Sequence, residues 1–215
     1  MSFYIKIKKR LLERRYRDRE VFLELLNAVD LSTPVEKASF IVFDTETTGL
    51  HPKRDELISL GALRIENLTL DLSSSFHEFL LPKRLNPESV EVHGITMEEL
   101  RQKAKRLEDV LEDFLNYARG SVLVGFNVEF DAKVLDRYVR TVFAFPLPFY
   151  RLDVFRMWTR TGREGKSLKE IAQELEIPTA ALHSALDDAY ITALLFLKLA
   201  HRLREEPVGR LPLML

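Results

Sequence analysis

Two rhythms of hydrophobic and polar positions run along the chain. Phe40, Ile41, Val42 and Phe43 form an unbroken apolar run that stops at Asp44 and is followed by the turn residues Thr47, Thr48 and Gly49. A run this short predicts a strand buried on both faces and ending in a polar segment. Residues 57–65 and 75–80 predict two more strands, and residues 122–124, stopped by Gly125, a fourth. Residues 129–142 and 185–203 repeat their apolar positions at helical spacing over lengths that strands rarely reach, so both predict helices packed on a sheet. Thr96 with Glu99, and Ser167 with Glu170, place a hydroxyl three residues before a carboxylate, the pattern of a capping box. Three early strands followed by alternating helices and strands predict an α/β fold with a mixed central sheet flanked by helices.

Residues 1–38 have a different character. Eight Lys or Arg residues between Lys6 and Arg19 stand against Glu13, Asp18 and Glu20, while Leu11, Leu12, Tyr16, Phe22, Leu25 and Leu26 recur at roughly helical spacing. This predicts a basic amphipathic extension of one or two helices ending near residues 30–34, either docked on the main domain or touching nucleic acid or a polymerase partner. The expected organisation is this extension, a main domain over residues 39–203 and a tail over 204–215.

The formal charge of −1 leaves any affinity for phosphate to a local patch or a bound metal. The chain has no cysteine, which excludes disulfides, thiolate metal sites and cysteine nucleophiles, so metal ligands must come from Asp, Glu and His. No apolar run approaches the ~18 residues a membrane span needs. A soluble, cytoplasmic protein without a membrane partner is expected.

The candidate chemistry lies in three segments. Asp44 and Glu46 are two residues apart, so on a strand both carboxylates leave the same face. Such a pair repels itself unless a cation intervenes, and oxygen-only ligands favour Mg²⁺ or Mn²⁺. Asp131 follows a buried strand and sits in the first turn of a predicted helix. In the third segment, Ser184 with Asp187 fits an N-cap pairing, which occupies Asp187 and leaves Asp188 to point elsewhere. His183, five residues before Asp188, is placed for general-base work.

These segments resemble the DEDDh branch of the DnaQ-like exonucleases, which includes the epsilon proofreading subunit of bacterial DNA polymerase III. Residues 43–50 (FDTETTGL) resemble the first motif of that family, His93 to Thr96 its substrate-side segment, 124–131 its second motif, and His183 with Asp188 its third. The sister branch carries Tyr four residues before the last Asp, where this chain has Ser184. Phe126 departs from the pattern, since relatives usually carry His there.

The resemblance implies a ribonuclease H-like fold and removal of 5′-mononucleotides from the 3′ ends of DNA. It also implies two divalent cations on Asp44, Glu46, Asp131 and Asp188, with His183 as the base that takes a proton from the attacking water. Thr47, Leu50, His93 and Asn127 are the implied substrate contacts. RNA ends, or a non-catalytic binding module on the same fold, are the alternatives. The segment 210–215 (RLPLML) is similar to a sliding-clamp-binding hexapeptide, with an apolar terminus folded onto the domain as the competing expectation.

Overall fold

The structure, a computed structural model, describes residues 3–177 and 184–215. Its centre is β1 (Ser39–Thr47), where residues 40–43 are completely buried, as the unbroken apolar run predicts. β2 (Leu57–Glu66) and β3 (Thr69–Phe79) extend the sheet antiparallel on one side. β4 (Val122–Gly125) and β5 (Arg151–Asp153) extend it parallel on the other, giving the order β3-β2-β1-β4-β5. This is the mixed sheet expected. β3 begins six residues before the predicted strand because its first half is an edge carrying Thr69, Asp71, Ser73 and Ser74, with too few apolar residues to betray a strand.

Helices cover both faces. Three of them, α3 (Pro87–His93), α4 (Met97–Lys103) and α5 (Leu107–Tyr117), lie between β3 and β4 in the chain. α6 (Glu129–Phe143) connects β4 to β5. α7 (Val154–Thr159), α8 (Leu168–Glu174) and α9 (Ala185–Ala200) follow. The Phe43 ring meets Phe114 of α5 at 6.0 Å, while Phe40 meets Phe196 of α9 at 4.8 Å. Strand alternation therefore turns Phe40, Val42, Asp44 and Glu46 toward α9, and Phe43 and Thr45 toward the opposite layer. The 185–203 helix ends at Ala200, and a 3₁₀ turn takes up the last three residues.

The two capping pairs behave differently. Ser167 and Glu170 form the full reciprocal box. Thr96 caps α4 by accepting from the Glu99 amide at 3.2 Å, but the Glu99 carboxylate takes Lys103 at 2.7 Å in place of the return bond.

The N-terminal arm forms α1 (Phe3–Arg15) and α2 (Glu20–Asn27). α2 buries Phe22, Leu25 and Leu26 in the same core as the sheet. The tail returns over this arm: the Val35 and Glu36 amides donate to Glu206 and Arg204 carbonyls at 2.9 Å. Its end adds to the β5 edge through two 2.8 Å bonds between Arg151 and Met214. Leu211, Leu213 and Leu215 are buried, so the apolar residues that suggested a clamp-binding peptide are taken up by the domain itself.

One close approach sets the relation of α9 to the sheet. A Cβ on Gly61 of β2 would lie 2.4 Å from backbone atoms of Ala185 and Leu186, so only glycine admits the first turn of α9 at that depth. Gly61→Ala is expected to force this turn off the sheet and cost about 1–3 kcal/mol of stability. A urea melt checks it, and an unchanged midpoint would show that the approach is not tight.

Candidate active site

β1 delivers Asp44 and Glu46 just beyond its fully buried stretch, on the face covered by α9. Asp44 pairs across the sheet with Gly61, the residue against which α9 begins. Ser184 caps that helix as the N-cap pairing predicts. Its Oγ accepts from the Asp187 amide at 3.2 Å and donates to the Asp187 carboxylate at 2.6 Å. Asp187 is thereby occupied, and Asp188 joins the two strand acids. Oxygens of Asp44, Glu46 and Asp188 lie within 4.8 Å of one another.

Asp131 reaches the site from the other side. β4 pairs with β1 only as far as Val42, which leaves the next part of that β1 edge without a strand partner. Asp131, in the first turn of α6, fills the gap by accepting from the Thr45 amide at 3.2 Å and the Thr45 hydroxyl at 2.5 Å.

Four acids gathered in this way shift one another. Desolvation, followed by the charges of Asp131, Glu46 and Asp188, raises the Asp44 carboxyl well above the usual range. Desolvation, with Asp188 and then Asp131 adding to it, brings Glu46 to about 7. Burial brings Asp131 to about 7 even though the Thr45 hydrogen bonds oppose it. Among the described residues no Lys or Arg forms an ion pair with Asp44, Glu46 or Asp131. A divalent cation fits the missing positive charge, and the all-oxygen donor set fits a hard ion.

Beside the acids opens a cleft of about 600 Å³, lined by Glu46, Thr47, Leu50, His93 and Phe130 among others. Three of the four expected substrate residues are therefore brought together. Leu50 is 87% exposed at the rim. His93 is buried, and its Nδ1 accepts from the Ile95 amide at 3.0 Å, which puts the ring proton on Nε2. Burial lowers the pKa of this histidine, and its Nε2 is itself buried with no hydrogen-bond partner among the described residues. Asn127 is not among the cleft residues. Its side chain is exposed, its φ is +54°, and its amide donates to Asp153 at 3.1 Å, which makes it the turn between β4 and α6. His183 lies outside the described residues.

Several contributors escaped the sequence reading. Thr45 was hidden because it lies between the two conspicuous acids. Gly61 carried a usable signal, since an isolated glycine in a strand marks a close backbone approach. The far wall of the cleft, Asn86 to His93, is a seven-residue helix with its N-cap, whose pattern is too short to stand out.

A mixed sheet with carboxylates converging at the end of its central strand defines a class: an α/β domain of ribonuclease H-like architecture with a candidate carboxylate metal centre. The chain belongs to the RNase_T family, described as exonuclease, which it matches over residues 41–196. It is similar to the PolC-type DNA polymerase III of Thermotoga petrophila, 31% identical over 178 residues that make up 82% of this chain and 13% of that protein. It is also similar to the DNA polymerase III epsilon subunit of Aquifex aeolicus, 30% identical over 77% of this chain and 82% of that one. The chain thus spans only a small part of the PolC-type relatives and most of the epsilon relative. In fold it is similar to E. coli exonuclease I in complex with a dT13 oligonucleotide, with a TM-score of 0.68, 20% identity, and coverage of 77% of this chain and 42% of that one.

The raised carboxyls dictate a pH effect. A Glu46 pKa near 7, against the ordinary 4.5, means that the metal-free fold binds this proton more tightly than the unfolded chain does. Its stabilising contribution is present below about 4.5 and is lost as pH rises through 7. A cation that replaces the proton should therefore raise the melting temperature more at pH 8 than at pH 5.5. Asp44→Asn should shrink this gain. Calorimetric melts with and without Mn²⁺ check it, and equal shifts at both pH values would contradict the shared-charge account.

Proposed function

We propose that this chain is a metal-dependent 3′–5′ exonuclease that releases 5′-mononucleotides from single-stranded or frayed DNA ends. The convergence of Asp44, Glu46 and Asp188, with Asp131 tied to the strand between them, is the observation that carries the proposal. Membership of an exonuclease family supports it. Asp44, Glu46, Asp131 and Asp188 would hold two Mg²⁺ or Mn²⁺ ions. When bound, the pair supplies an activated water and charge stabilisation at the leaving 3′ oxygen.

The chain's own residues do the rest. His183 takes the proton of the attacking water. Thr47 and His93 offer hydrogen bonds to the terminal nucleotide, and Leu50, exposed on the rim, packs against its base. Asn127 sits in the turn that sets Asp131 and presents its exposed side chain to the substrate.

DNA is favoured as substrate by the DNA polymerase III relatives and by the bound dT13 of exonuclease I. A polymerase partner, in the cytoplasm, follows from the same relatives. Among the described residues no helix is long and apolar enough to cross a membrane.

The test is mononucleotide release from 3′-labelled and 5′-labelled single strands of DNA and RNA with Mg²⁺ or Mn²⁺. The 3′ label should leave first, and DNA should be cut faster than RNA. His183→Ala should lower the rate by about 10² to 10⁴, the usual worth of a general base, and Asp44→Ala should abolish it. A wild-type protein inert on every strand would overturn the proposal.

A further inference from the structure

We propose that the exposed face of α1 is a second contact for the single strand of nucleic acid on which the active site works; this rests on the exonuclease reading above.

α1 is docked by one side only. Lys8 and Leu12 border one crevice with Glu129, Ala132 and Asp136 of α6, and Tyr16 accepts from Arg140 at 3.5 Å. Lys8 lies among the charges of Glu129, Asp136 and Arg140, so this side of α1 rests along α6.

The undocked side combines two chemistries. Phe3, Tyr4 and Leu11 are 79%, 70% and 62% exposed, and with Ile7 they follow helical spacing along one stripe. Lys6, Arg10 and Arg14, all exposed, make a row with one cation per turn, about 6 Å apart. The only acid of the helix, Glu13, pairs with Lys9.

Aromatic rings beside a row of cations suit a strand whose bases stack and whose phosphates need neutralising, with no reading of sequence. A second copy of this chain is a poor occupant, because a two-fold contact would set this row of cations against itself. An anionic membrane could use the same chemistry, but membership of an exonuclease family favours the strand.

Fluorescence anisotropy with a labelled dT20, in EDTA so that nothing is cut, tests this on the full chain. The triple variant Lys6→Glu, Arg10→Glu, Arg14→Glu should bind at least tenfold more weakly. Its log K against log salt should be flatter by about 2, the share of three phosphate contacts on a single strand. Tyr4→Ala changes no charge and should still weaken binding about fivefold. A matched triple on other exposed cations, Lys169→Glu, Arg202→Glu, Arg204→Glu, should lose less than threefold. With Mn²⁺, all variants should cut a dinucleotide at the wild-type rate while the α1 variants show a raised KM on dT20.

Wild-type affinity in the α1 triple, an equal loss in the matched triple, or a loss seen only toward phosphatidylserine vesicles would overturn the proposal. A wild type that cuts neither substrate would sink the exonuclease reading instead, and the anisotropy comparison would still decide the role of α1.

Discussion

Mutual repulsion of like charges is the constraint around which this molecule is arranged. Three carboxylates have oxygens within 4.8 Å of one another. At an effective dielectric of about 20, each ionised pair at that distance costs roughly 3 kcal/mol. The scaffold that holds them is correspondingly stiff. Asp44 and Glu46 extend from a strand whose preceding residues are wholly buried. Asp188 comes from a helix pressed so closely on β2 that Gly61 can carry no side chain. Asp131 is held by two bonds from Thr45. None of the four acids rests on a mobile loop tip, and such preorganisation is what a metal-dependent displacement requires.

The same arrangement explains why the strand order matters. β4 is short and its pairing with β1 stops at Val42, which frees the edge of β1 for Asp131. The cleft then opens on the side of β1 where α3 stands, so a strand end entering past Leu50 and His93 would arrive beside the acids. The other termini of the molecule are drawn into its stability. The tail pairs with β5 and with the segment before β1, and Lys8 of α1 donates to the Leu215 main-chain oxygen. The arm and tail thus brace each other, with one side of α1 left open.

Much of this was legible in the sequence because the features involved are local. The buried strand announced itself through Phe40 to Phe43, the spacing of Asp44 and Glu46 put them on one face, and the Ser184–Asp187 pairing separated two adjacent acids correctly. What stayed hidden is relational. Thr45 matters because of a residue 86 positions away, Gly61 because of the helix laid upon it, and α3 because its seven residues close the cleft. The tail bears out the expectation of an apolar terminus folded onto the domain, and the β5 edge shows where its leucines go. Asn127, expected to touch the substrate, has a left-handed backbone and an exposed side chain in the turn between β4 and α6.

The central claim, that Asp44, Glu46 and Asp188 form a cation site rather than a merely crowded strand end, is tested most directly by anomalous diffraction from crystals grown with Mn²⁺ and a 5′-mononucleotide. An anomalous peak coordinated by all three carboxylates is expected, with a second peak between Asp44 and Asp131. Ordered crystals with the acids in place and no manganese among them would contradict it.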